Sequence, residues 1–182
     1  MNMTKKTTFI AIFTALVIIL QLIATFINFG AFPITLTLVP IIVAGAIYGP
    51  LIGLYLGLVF GVVVTIMVVT GADPSGATML AIHPFITIAL CIVKGGLAGL
   101  LSAITYKLLK KKNEKLAIVL ASIVAPLVNT STLFITLIIY FGSTFSVMIA
   151  ALTSLNFFIE LLTNILLAPG LLGLIHKYQE EE

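Results

Sequence analysis

Asn156, Glu160 and Asn164 recur at four-residue intervals inside a stretch, residues 147–174, that is otherwise almost wholly apolar. At 3.6 residues per turn these three and Thr163 share one helix face, so the stretch carries a single polar stripe. The chemistry available there is hydrogen bonding by two amides, each both donor and acceptor, around a carboxylate that accepts hydrogen bonds, carries a proton or balances a cation. Lys94 is the only other charge inside an apolar run. A charge at the centre of a membrane span costs roughly 2.5 to 3.5 kcal/mol by insertion scales, and such charges are functional by default. Two readings stand: Lys94 and Glu160 form a buried ion pair that only fixes the helices, or they hold a small polar ligand.

The elements that must position these groups follow from composition. Hydrophobic residues make up 61% and charged residues 8% of the 182 residues, and mean hydropathy is +1.30. A soluble domain is about a quarter charged. The chain is therefore read as an all-α integral membrane protein, one domain over 1–182, with six transmembrane helices of roughly 20 residues and no room for a soluble domain. The spans are placed near 8–26, 34–48, 50–70, 84–107, 116–140 and 147–175. Between them lie an aromatic connection at 28–33, the Gly49-Pro50 break, the polar loop Gly71-Ala-Asp-Pro-Ser-Gly-Ala77, a lysine-rich turn at 110–115, and Gly142-Ser-Thr144. Pro40 is expected to kink the second span. The first span is longer than a signal-peptide core and is read as retained.

Six spans put both termini on one side. Lys5, Lys6, the lysines from Lys107 to Lys115 and Lys177 fall on that side, and the three opposite loops carry no lysine or arginine. By the positive-inside rule that side is cytoplasmic, in a cell membrane. The net charge of +3 thus speaks to orientation and not to nucleic acid. Cys91 is alone, allows no internal disulfide, and is expected to be a small buried hydrophobe.

Helical rise places Lys94 about 15 Å below the outer start of the fourth span and Glu160 about 18 Å below that of the sixth, with Asn129 at similar depth in the fifth. Above Asn129 one face carries Thr132, Thr136 and Tyr140, a polar stripe climbing outward. The fourth to sixth spans are expected to wall a cavity open to the exterior. Lys94 would bind a ligand carboxylate, Glu160 would balance that lysine or accept a hydroxyl, and Asn129, Asn156 and Asn164 would supply amides. His83 and Asp73 in the outward loop are candidates to touch ligand, and Phe29 and Phe32 to cover it.

Gly45, Gly49, Gly53, Gly57 and Gly61 recur every four residues, with a second cluster at Gly95, Gly96 and Gly99. In lipid this spacing lets helix backbones approach closely. Ala11 and Ala15 repeat it on the first span, where a partner subunit is expected to dock. Other chemistries are absent from the sequence. No Gly-x-x-x-x-Gly-Lys-Ser/Thr phosphate loop, no His-Glu-x-x-His helix and no Cys/His cluster occurs, and His83 and His176 sit at opposite faces. Neither catalysis, a metal nor a cofactor is expected.

Taken together, Ala11-x-x-x-Ala15, Phe32-Pro-Ile-Thr-Leu-Thr-Leu-Val-Pro40, Gly49-Pro-Leu-Ile-Gly53 and the six-span plan resemble the substrate-binding S-components of energy-coupling factor (ECF) vitamin transporters, over essentially the whole chain. The resemblance implies a subunit that captures a vitamin in an outward cavity of the fourth to sixth spans and the first loop. It also implies docking through the alanine pair on an energy-coupling membrane subunit with two cytoplasmic ATPases, then toppling to release the vitamin inward. Asp73-Pro74, His83-Pro84-Phe85, Lys94-Gly95 and Asn156-Phe-Phe-Ile-Glu160 look most like pantothenate-type members. Riboflavin, a pyridoxine-like vitamer and hydroxymethylpyrimidine stay open. A proton-coupled secondary transporter using Glu160 and a small membrane enzyme are the rival classes; the first usually brings internal repeats and more spans.

Overall fold

The computed structural model describes residues 3–24 and 36–180, with side chains at 6–24, 36–142 and 156–177. The expected first connection, with Phe29 and Phe32, lies outside the described residues. Seven helices and no strand are present among those described: α1 (Met3–Ala24), α2 (Leu38–Tyr48), α3 (Pro50–Val69), α4 (Pro74–Ile82), α5 (Pro84–Leu109), α6 (Glu114–Tyr140) and α7 (Ser143–Glu180). The all-α expectation holds. Six of these helices fall on the six expected stretches, and α4 is a further short helix on ground read as a loop.

Local chemistry explains the helix starts. Asp73 accepts the Gly76 amide at 3.0 Å as the N-cap of α4, and Pro74 takes the first helical position, where a missing N–H costs nothing. Pro84 then forces His83 into extended backbone (φ −139°, ψ 83°), which separates α4 from α5. Asn113 caps α6 by accepting the Leu116 amide at 3.0 Å. Gly49 turns α2 into α3 with φ 97°, a conformation that side chains disfavour, and Pro50 opens α3. Pro40 lies in the first turn of α2, where its nitrogen has no intrahelical acceptor to lose, so it imposes no kink.

Among the described residues five helices are long and apolar enough to cross a membrane; α2, with 11 residues, is shorter. It is also the most enclosed, with Leu38 through Ala46 all buried, and α1, α3, α5, α6 and α7 pack around it. A helix apolar on every side belongs in such a centre.

The glycine ladder joins α3 to α5. A Cβ on Gly61 would stand 2.6 Å from the Cys91 carbonyl oxygen, and one on Gly57 would stand 2.8 Å from the Gly95 carbonyl carbon and closer still to its oxygen. Gly53 meets Gly99 in the same way, so each turn up α3 matches one turn down α5. This confirms the close approach expected from spacing: backbone lies on backbone, and dispersion replaces the hydrophobic drive that lipid removes.

α1 is attached by one face. Phe13, Val17, Gln21 and Ala24 are buried, and Gln21 accepts a hydrogen bond from the Thr37 hydroxyl at 3.0 Å. At the lysine-rich end the Tyr106 hydroxyl donates to Glu114 at 2.5 Å, and His176 stands 3.7 Å from the same carboxylate, gathering α5, α6 and α7.

Candidate functional site

A groove of about 220 Å³ runs between α5 and α6 toward the end opposite the lysines, lined by Ile86, Ala89, Leu90 and Val93 on one wall and Thr132, Thr136 and Tyr140 on the other. The walls follow from helical period: i, i+3, i+4 and i+7 on α5 face i, i+4 and i+8 on α6. Thr132 and Thr136 donate their hydroxyl protons back to the Val128 and Thr132 carbonyls at 2.7 and 2.9 Å. Toward the groove they therefore present lone pairs, which suit the hydroxyl or amide N–H of a guest. Asn129 lies one turn deeper, and its buried Oδ1 has no hydrogen-bond partner among the described residues.

His83 lies just before the groove's first lining residue on α5, toward the end away from the lysines. Its ring meets Phe141 edge-on at a centroid distance of 5.3 Å, tying the α4–α5 elbow to the α6–α7 turn. Ile86, one turn further along α5, begins the groove wall.

Lys94 faces a separate space. It lines a cavity of about 30 Å³ with Asp73, Met79, Thr87, Cys91 and Leu133, enclosed by α3, α4, α5 and α6. Leu90 is shared by both spaces, and with Met79, Leu133 and Leu137 it forms an apolar cluster between them. Cys91 is buried, as its apolar setting implied.

The α7 stripe forms as its spacing requires. Asn156, Glu160 and Asn164 are all buried, and the Asn164 amide donates to the Glu160 carbonyl at 2.8 Å. α7 packs on α6 and α2, whereas among the described residues it makes no close approach to α5. No ion pair joins Lys94 to Glu160 there. Thr132 thus reaches the groove, Lys94 lies behind Leu90, and the α7 stripe lies across α6. The partner of Lys94's cavity, Asp73, was legible only as a loop acid. An Asp followed by Pro is, however, a helix-start signature that marks its cap.

Ala11 and Ala15 are exposed on the face of α1 turned away from Phe13 and Val17. Among the described residues no group of three or more His, Cys, Asp or Glu is placed to hold a metal ion.

Long apolar helices around one buried helix, with a groove between α5 and α6, define a membrane-embedded helical subunit. The family model described as "ECF transporter, substrate-specific component" matches residues 5–176, and the chain belongs to that family. Its members are the substrate-binding transport subunits of vitamin-type ECF importers, not enzymes, and work with energy-coupling components and ATPases. No curated protein and no solved structure matches the chain.

Proposed function

We propose that this subunit captures pantothenate in the α5–α6 groove and delivers it across the cell membrane, with the lysine-rich end in the cytoplasm. The groove's lining supports the reading: the hydroxyl groups of Thr132, Thr136 and Tyr140 face an apolar wall of α5, the mix of apolar surface and a few polar groups that small-molecule sites use. Thr132, Thr136 and Asn129 accept from the ligand's hydroxyls and amide. Its carboxylate lies at the deep end, where Lys94, one helical turn past Leu90, reaches it when the Leu90 side chain turns aside. Asn156, Glu160 and Asn164, on α7, make up the remaining polar stripe of the site beyond the groove's own lining, and His83 closes the rim with Phe141.

Calorimetric titration of the purified chain with pantothenate, riboflavin, pyridoxine and hydroxymethylpyrimidine tests this; the chain has no tryptophan for fluorescence. Tight binding of pantothenate alone is expected. Tight binding of one of the others in its place would reassign the substrate.

The exposed alanine pair supports docking of α1 on an energy-coupling membrane subunit that carries two ATPases. Replacing Ala11 and Ala15 with leucine should leave ligand affinity unchanged and abolish ATP-dependent uptake in reconstituted vesicles, because small residues set how closely helices pack in lipid. Full uptake by the double variant would remove that role.

A further inference from the structure

The inner cavity holds two charges, Lys94 and Asp73, and the ligand reading above uses only the first. Asp73 is only 8% exposed, and Lys94 is half-buried. Among the described residues Lys94 makes no hydrogen bond or ion pair, so its ammonium and the Asp73 carboxylate stand farther apart than the 4.0 Å of a direct pair. Between them lies about 30 Å³ of space, enough for about two waters at roughly 15 Å³ each. A buried charge without compensation is costly enough that the group neutralises instead. Glu160 does not compensate Lys94 by direct contact, since among the described residues no ion pair joins the two. Cys91 is the other titratable side chain lining the cavity.

α4 is seated closely where Asp73 begins it. A Cβ on Gly76 would run into the Val68 side chain of α3 and would come within 3.1 Å of the Asp73 carboxylate. One carboxylate oxygen, Oδ1, is spent on the Gly76 amide as the cap. That leaves Oδ2 for the cavity.

We propose that Asp73 is the counter-charge of Lys94, joined to it through water in this cavity, and that the pair pins the short helix α4 against α5 beside the groove. Asp73 is a positioning residue here: it holds the lysine charged and aimed, and touches no ligand.

Asp73→Asn separates the two jobs of this side chain, because asparagine caps helices as well as aspartate does but carries no charge. Lys94→Met removes the other charge at similar length. Each single variant is expected to lower the unfolding midpoint in detergent by roughly 5 to 10 °C, since it strands a buried charge. The double variant should recover most of that loss. A double variant that loses the sum of the two single effects would overturn the pairing. Where a single variant cannot be recovered folded, a folded double variant supports the pair, and a double variant recovered no better than the singles overturns it. Infrared difference spectra between the native chain and Asp73→Asn, with aspartate carbon labelled, should show an ionised carboxylate band at Asp73; a protonated carbonyl band there sinks the proposal. Neither measurement needs a ligand, so a wrong substrate leaves both standing and their failure leaves the substrate reading intact.

Discussion

Gly57→Ala is expected to unfold the chain or lower its stability by about 3 kcal/mol or more, at the upper end of overpacking costs. The added methyl would meet the Gly95 carbonyl and would stand 3.1 Å from the Gly96 Cα, so backbone rather than a flexible side chain must move. α3 and α5 make the most extensive helix pairing in the fold, and separating them there also parts Gly53 from Gly99 and Gly61 from Cys91. For a chain of this length the loss corresponds to a midpoint roughly 6 to 12 °C lower. Gly170→Ala is the matched control: α7 leaves open space at Gly170, and alanine is the better helix former by ~1 kcal/mol. Thermal unfolding of both variants in one detergent checks the contrast. An unchanged midpoint for Gly57→Ala would mean that the two helices do not approach as described.

Lys94→Ala is expected to weaken pantothenate binding by about 2 to 5 kcal/mol, the cost of leaving a desolvated carboxylate without its charged partner. That is roughly a 30- to 4,000-fold loss of affinity, at tenfold per 1.4 kcal/mol. The expected effect is selective. Neutral vitamins that bind at all should lose far less, because they bring no carboxylate to the ammonium. Titration calorimetry on folded protein decides it, with the unfolding midpoint recorded alongside, since removing Lys94 also strands Asp73. Unchanged pantothenate affinity in a folded variant would remove Lys94 from the ligand site and leave it as Asp73's partner alone.

Much of the fold was legible in the residues because it depends on local patterns. Apolar runs of spanning length mark helices in any arrangement. Gly49-Pro50 and His83-Pro84 fall where the chain breaks, since glycine and proline restrict or free the backbone regardless of what surrounds them. The threonine stripe Thr132, Thr136 and Tyr140 was readable on one face and does line a groove with α5. Helix α4 was missed because Ser75, Gly76 and Thr78 make a polar, small-residue stretch that reads as loop, although Asp73-Pro74 announced a helix start.

By itself, then, the sequence determined that the chain is a helical membrane bundle, roughly where its long helices run, and which residues share each face. Hydropathy and period are properties of neighbouring residues. Which faces meet is not. Only the tertiary structure decided that α2 lies at the centre, that Gly57 rests on Gly95, and that Lys94 shares a cavity with Asp73 while Glu160 lies across α6. Depth in the bilayer put Lys94 and Glu160 at one level, yet helices at one level stand side by side in two dimensions. The order in which they pack is set by close fit between surfaces distant in the chain, and among the described residues α5 and α7 each meet α2 and α6 rather than one another.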